Sequence, residues 1–181
     1  MTRLRKMMLE ELERRNYTQT TRAAYLFGVA DFAKHFGRSP DQLGLEHIRE
    51  YQAHLFRVRK LTAATVSVRV AALRFLFVQV LKRPWTTADM PYPKQPYSMP
   101  TVLSEEEVAH LIAAAATPLH RVLLMVLYGA GLRRAEAATL KITDIDTERM
   151  VIHVRGGKGR KDRDVMLSPK LLDELREYWR G

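Results

Sequence analysis

The stretch "RPWTTADMPYPKQPYSMPTVLS" carries Pro84, Pro91, Pro93, Pro96 and Pro100, five prolines in 17 residues. Each proline fixes its own φ, lacks a backbone N–H and pushes the preceding residue toward extended conformations. No helix and no central strand can cross such a segment. The chain is therefore predicted to fold as two parts, residues 1–84 and 102–181, joined by an extended proline-rich linker over 85–101.

Before the linker, apolar residues recur at helical spacing. Leu4, Met7, Met8 and Leu12 share one face of a first helix. In "TQTTRAAYLFGVADFAKHFG" the face is Tyr25, Val29, Phe32, Ala33 and Phe36, and Gly37 is placed to end the helix. Ile48, Tyr51, Leu55 and Val58 mark a third helix. Val66, Val70, Leu73, Phe77 and Leu81 mark a fourth, with Thr62 as its cap. Four helices with short connections predict a small bundle.

After the linker, "LSEEEVAHLIAAAA" opens with Ser104 and Glu107, a capping box. "PLHRVLLMVLYGAG" is nearly all apolar and is predicted to be a buried helix. "RRAEAATLKI" reads as a short helix. "MVIHV" and "DVMLS" around "RGGKGRK" read as a β-hairpin with a glycine turn, and "PKLLDELREYW" as a closing amphipathic helix. The expected fold is mainly α with a small β-hairpin or sheet in the second part.

Charge narrows the function. Lys and Arg outnumber Asp and Glu 30 to 20, a net of +10, which favours a polyanionic partner. Residues 1–100 hold 17 basic against 8 acidic residues, whereas 101–181 hold 13 against 12. Generic polyanion affinity thus belongs to the first part, and any anion site in the second must come from placement. The absence of cysteine excludes disulfides, a thiolate nucleophile and cysteine metal sites. No uninterrupted apolar stretch reaches membrane-spanning length, and "MTRLRKMMLEELERR" lacks the apolar core of a signal peptide. A soluble cytoplasmic protein with no membrane partner is expected. "GAGLRR" has Arg134 where a dinucleotide loop needs glycine, and "GGKGRK" lacks the Ser or Thr of a P-loop. His110, His120 and His153 show no metal-ligand spacing, so neither metal nor cofactor is expected.

One segment concentrates cations at backbone turns. Gly129 and Gly131 let the chain turn out of the apolar helix, and Arg133 and Arg134 follow at the start of the next. A helix N-terminus favours an anion, and an arginine fork suits two phosphate oxygens. Glu136, three residues after Arg133, can orient its guanidinium. Lys158 sits in the glycine turn, where it can reach a phosphate and donate a proton to a leaving oxygen. Spacing alone supports equally well a salt-bridged surface helix beside an ordinary basic hairpin.

"GAGLRRAEAATLKITDID" followed by "VRGGKGRKDRDVML" resembles the tyrosine recombinases, the phage-integrase and Xer-type site-specific recombinases. Their pattern is Gly-Leu-Arg-x-x-Glu, then Leu-x-x-x-Asp-Ile/Val, then a hairpin with Gly-Lys-Gly-x-Lys-x-Arg. "MPTVLSEEEVAHLIAAA" resembles the entry to their catalytic domain, and the first bundle their SAM-like core-binding domain. The resemblance implies that Arg133 clamps the scissile phosphate, Glu136 supports the site and Lys158 acts as general acid toward the departing 5′ oxygen. It implies transesterification through a 3′-phosphotyrosine, without metal or nucleotide. Candidate DNA contacts are Arg22, Arg69, Arg74, Arg134, Arg160 and Lys161. Double-stranded DNA is the expected partner, held in a C-shaped clamp, with self-association as a tetramer on DNA in the complete enzyme.

The family also places a His-x-x-Arg pair, a further His or Trp and the nucleophilic tyrosine well after the hairpin. Here "HFGR" and "HLFR" lie in the first bundle, and are expected to be bundle surface. Tyr178 lies too early, in an amphipathic helix, and is expected to pack. The chain is thus expected to be the N-terminal portion of a recombinase: the core-binding domain plus the first part of an α+β catalytic domain, inactive alone. The alternative is a short non-catalytic DNA-binding or regulatory protein derived from one.

Overall fold

A computed structural model describes residues 2–86, 88–96, 99–157 and 161–180. It divides into two compact units, Met1–Ser98 and Met99–Gly181.

The first unit is a helical bundle: α1 (Arg3–Arg14), α2 (Gln19–Phe36), α3 (Leu45–Arg57) and α4 (Ala63–Arg74), the last continued by a π-helical turn over Phe75–Val80. Thr2, Thr18 and Thr62 cap α1, α2 and α4, each accepting an N–H three residues on. Such a cap contributes about 1 kcal/mol. Gly37 ends α2 in the left-handed region, at φ 61°. The core centres on Phe32, whose ring meets Tyr51, Phe36 and Phe77 edge-on. Leu12, Leu55, Val66 and Leu73 close around it, fully buried. Each large apolar side chain buried this way contributes about 1.5–3 kcal/mol. The π-turn bonds Leu81 N–H to the Leu76 carbonyl and buries three consecutive residues, Phe75, Leu76 and Phe77. Residues 63–80 are apolar and long enough to cross a bilayer, but here they form the middle of this core. Val58, expected on the buried face of α3, is exposed because the helix ends at Arg57.

The described residues of the proline-rich segment form no helix or strand, and its first half turns at Thr86, which donates to Asp89, and does not run free. Trp85 stacks on Phe77, with ring centroids 4.6 Å apart, and Met90 is fully buried. Gln52 donates to the Pro91 carbonyl, Gln95 donates to the Ser67 hydroxyl, and Arg74 lies over the Tyr92 ring. Composition marked the prolines but not the two apolar anchors between them.

The second unit comprises α5 (Glu105–Ala113), α6 (Pro118–Gly129), α7 (Arg134–Ala138), a three-stranded antiparallel sheet and α8 (Pro169–Arg180). The sheet runs β1 (Ile145–Asp146), β2 (Val151–Val154) and β3 (Arg163–Met166), in that order. Register pairs Ile145 with Ile152, and Val154 with Arg163. Ile152 and Val154 point into a core shared with Val122, Val126, Leu132, Leu167, Leu171 and Leu172. Both halves of the capping box at Ser104 and Glu107 form. β1 escapes the sequence because two residues cannot show a period; Asp146 builds its turn by accepting from the N–H groups of Glu148 and Arg149. The apolar helix α6 buries only Val122 and Val126 fully, and leaves Leu119 and Tyr128 more than half exposed.

Candidate active site

The turn out of α6 passes through Gly131 at φ 61°, and buried Leu132 anchors the start of the next helix. Arg133 is extended and caps α7, which is only five residues long. So short a helix has little dipole to offer an anion, and the site is built from side chains instead.

Glu136 is its centre. This carboxylate is 8% exposed and accepts four hydrogen bonds. The Arg133 backbone N–H donates to Oε2 and its guanidinium Nη1 to Oε1, both at 2.9 Å. Arg163, at the start of β3, donates Nη1 to Oε1 at 2.9 Å and Nη2 to Oε2 at 2.7 Å. The Arg163 pair, followed by the Arg133 N–H, holds the Glu136 carboxyl far below the usual carboxylate range, against the opposing effect of burial. The Arg133 side chain is 56% exposed and gives Glu136 one side-chain donor. A guanidinium is a planar fork of five donors suited to an oxyanion, and this one is more than half exposed.

The β2–β3 turn closes against this carboxylate. Gly156, at φ 62°, donates to Asp162, and Gly157 donates to the Lys161 carbonyl at 3.1 Å. A Cβ on Gly157 would sit 3.0 Å from Arg163 Nη1, Glu136 Oε1 and the Lys161 carbonyl. Glycine is what lets the turn approach so closely. On the other stem, Arg155 Nε meets the buried Asp144 carboxylate at 3.0 Å, and Asp144 also accepts the Lys141 N–H.

Arg133 and Glu136 are thus in contact, as their spacing predicts. Lys158 and Arg160 lie outside the described residues. Lys161 and Arg134 are exposed, and Arg134 forms no ion pair among the described residues. Arg22 is tied to Glu13 and to the Tyr17 carbonyl, and half-buried Arg74 lies over Tyr92. Arg69 needs correction as a DNA contact: it is 9% exposed, with its guanidinium 4.2 Å from the Phe27 ring centroid. On α4 it falls beside the buried face that Val66, Val70 and Leu73 define. The family pattern includes Asp144 and Arg163 but the sequence reading gives them no role, and Arg155 lies outside that pattern. The residue types were visible, but their pairing joins positions 11 to 27 apart.

His35 and His54, of the two His-x-x-Arg strings, stack at 4.2 Å in the first unit. Tyr178 is 41% exposed on α8. No cluster of three or more metal-ligating side chains occurs among the described residues.

Residues 4–87 match the phage integrase N-terminal SAM-like domain, and residues 101–180 match the phage integrase family. The chain belongs to the phage integrase family of tyrosine recombinases. This integrase-family chain is 48% identical over 181 residues to the integrase/recombinase y4qK of Sinorhizobium fredii, covering 99% of itself and 59% of that protein. It is 33% identical over 177 residues to an integrase/recombinase of Escherichia coli, covering 94% of itself and 52% of the relative. It therefore spans between half and three fifths of these two relatives. Its fold is similar to the XerH recombinase bound to palindromic difH substrate in a post-cleavage complex, with a TM-score of 0.64 at 22% identity, over 91% of this chain and 53% of that one. It is also similar to the Tn1549 transposon integrase in complex with transposon right end DNA, with a TM-score of 0.65 at 16% identity, over 96% and 64% of the two chains.

Proposed function

We propose that this integrase-family chain supplies the DNA-holding and phosphate-polarising portion of a site-specific recombinase. The observation that carries the reading is Arg133: an exposed guanidinium, oriented by a carboxylate that the following hairpin also grips.

In this reading a duplex lies against both units, and Arg133 holds two non-bridging oxygens of one phosphate. A tyrosine hydroxyl loses its proton to solvent as its oxygen attacks phosphorus, the bond from phosphorus to the 5′ oxygen breaks, and Lys158 delivers a proton to that oxygen. The 3′-phosphotyrosyl link keeps the phosphodiester energy, and attack by another 5′ hydroxyl reverses the step on a new partner strand. Glu136 stays ionised, so it never competes for that proton. Arg133 offsets the charge that develops on the phosphate oxygens as the bond order changes. The exposed cations of the first unit, with Arg134 and Lys161, bind backbone phosphates and fix register. Copies of the enzyme self-associate on DNA to exchange strands.

The 181-residue polypeptide itself binds duplex DNA and forms no covalent adduct. Arg133 and Lys158 hold and protonate, but neither attacks, and Tyr178 stands exposed on α8. A nicked suicide duplex incubated with the chain tests this. Salt-dependent binding without an SDS-resistant band is the expected result. A band lost in Tyr178→Phe makes Tyr178 the nucleophile and overturns this assignment. Binding that does not change with salt removes DNA as the partner.

A further inference from the structure

We propose that Arg163 is a positioning residue of this site: its two-bond pair with Glu136 locks the Arg133 segment to the stem of the turn that carries Lys158. The inference rests on the recombinase reading above.

The two cations given chemical roles lie on separate elements. Arg133 caps α7, and Lys158 follows Gly157 in the sequence between β2 and β3. Covalent continuity does not hold these elements in register, since 24 residues separate the two cations. One carboxylate does. Glu136 reaches back to the Arg133 N–H and guanidinium, and Arg163 joins the same carboxylate to β3. Gly157 packs directly on this pair, with no room for a side chain. The arrangement has no slack. Moving Arg163 releases the carboxylate that aims Arg133 and the surface on which Gly157 rests.

The Arg163–Glu136 pair is also poorly explained as a stabiliser alone. It sits beside an exposed guanidinium of the same sign, so Arg133 and Arg163 repel across one shared negative charge. A largely buried pair offsets its own desolvation with one partner and has no need of a second cation. Bidentate geometry adds directional control that a lysine cannot reproduce, because an ammonium is a single point charge.

The test has two arms. In the 181-residue protein, amide hydrogen exchange is followed by NMR for Arg163→Met. Exchange at Arg133 and Gly157 should rise at least tenfold, while Ile152 and Val126 stay as in the parent. Unchanged exchange at Arg133 and Gly157 overturns the proposal, whatever happens to catalysis. In the second arm, residues 1–181 are fused to the remaining C-terminal part of y4qK, and single-turnover adduct formation is measured on a suicide duplex. Arg163→Met should slow the step about 100-fold, the usual effect of misplacing reacting groups by an ångström. The Kd for DNA should stay within about threefold. Arg163→Lys should remain at least tenfold slow, and millimolar guanidinium should restore Arg163→Ala. The double variant Glu136→Gln/Arg163→Met should be no slower than the slower single variant, because the two act as one unit. A parent fusion that folds and binds but yields no adduct defeats the recombinase reading, and the exchange arm still judges the clasp. A parent that cleaves while Arg163→Met cleaves within threefold of it defeats the clasp alone. An affinity loss matching the rate loss makes Arg163 a DNA contact and overturns its positioning role.

Discussion

Replacing Met90 by alanine separates a docked segment from a free tether. Met90 is fully buried amid the prolines, and Trp85 stacks on Phe77 five residues earlier. Among the described residues the segment is also held by hydrogen bonds from Gln52 and Gln95 and by the half-buried Arg74 over Tyr92. Met90 is therefore, with Trp85, one of two apolar anchors among the described residues, and its side chain contributes about 2–3 kcal/mol to docking. The segment is terminal to the bundle, so it can open without unfolding α1–α4. The loss then appears as local opening, with a population about 30- to 140-fold higher. When closing outpaces cutting, proteolysis follows that population. Limited thermolysin digestion, with cleavage mapped by mass spectrometry, should show Met90→Ala cut within residues 85–96 faster by that factor. Lys94→Ala serves as an exposed control. Parent and variant cut there at rates within threefold of each other would refute the docking argument.

Further outcomes test the site and its scaffold. In the y4qK fusion, Arg133→Ala should abolish adduct formation with Kd for DNA within about threefold, whereas Arg134→Ala should keep at least a tenth of the parent rate; equal loss in both would mean the wrong arginine was assigned. The lowered Glu136 carboxyl contributes stability that is fully present above the ordinary carboxyl value of 4.5 and is lost as pH falls toward its depressed folded value. The stability difference between parent and Glu136→Gln in urea titrations should therefore narrow below about pH 4.5; parallel curves would contradict the clasp. At the crossing of α2 and α4, a Cβ on Gly28 would meet the Ala72 Cβ at 3.0 Å. Gly28→Val should destabilise the first unit by about 1–3 kcal/mol through overpacking, measured by thermal unfolding.

Much of the fold was legible because helices announce themselves locally. Phe32, Tyr51, Leu55, Val66, Val70 and Leu73 fall on the predicted faces, and the threonine, serine and glycine caps act where expected. What was not legible depends on contacts distant in sequence. Met90 and Trp85 look like isolated apolar residues until Phe77 and the bundle are beside them. Arg69 looked like one more surface cation, yet it lies at the edge of a buried face with Phe27 beneath its guanidinium. Three-residue spacing gave the Arg133–Glu136 contact. It did not give Arg163, 27 residues from Glu136, because only the hairpin's register brings the start of β3 to that carboxylate.

The bond count around Glu136 explains why Arg133 remains available to a ligand. A carboxylate has two oxygens, and an arginine left alone beside one takes both in a fork-to-fork pair. Arg163 already occupies both Glu136 oxygens, at 2.9 and 2.7 Å. Arg133 is confined to one side-chain bond at Oε1, and its backbone N–H takes the remaining approach to Oε2. Two guanidinia around one carboxylate leave a net charge of +1, and the more exposed of the two guanidinia carries it outward. Asp144 and Arg155 form a separate neutral pair and leave that charge undiminished. Arg163 therefore orients Glu136 and also keeps it from capturing Arg133 completely. Without Arg163, Glu136 would be free to close on Arg133 with both oxygens, turning an open fork into a closed ion pair.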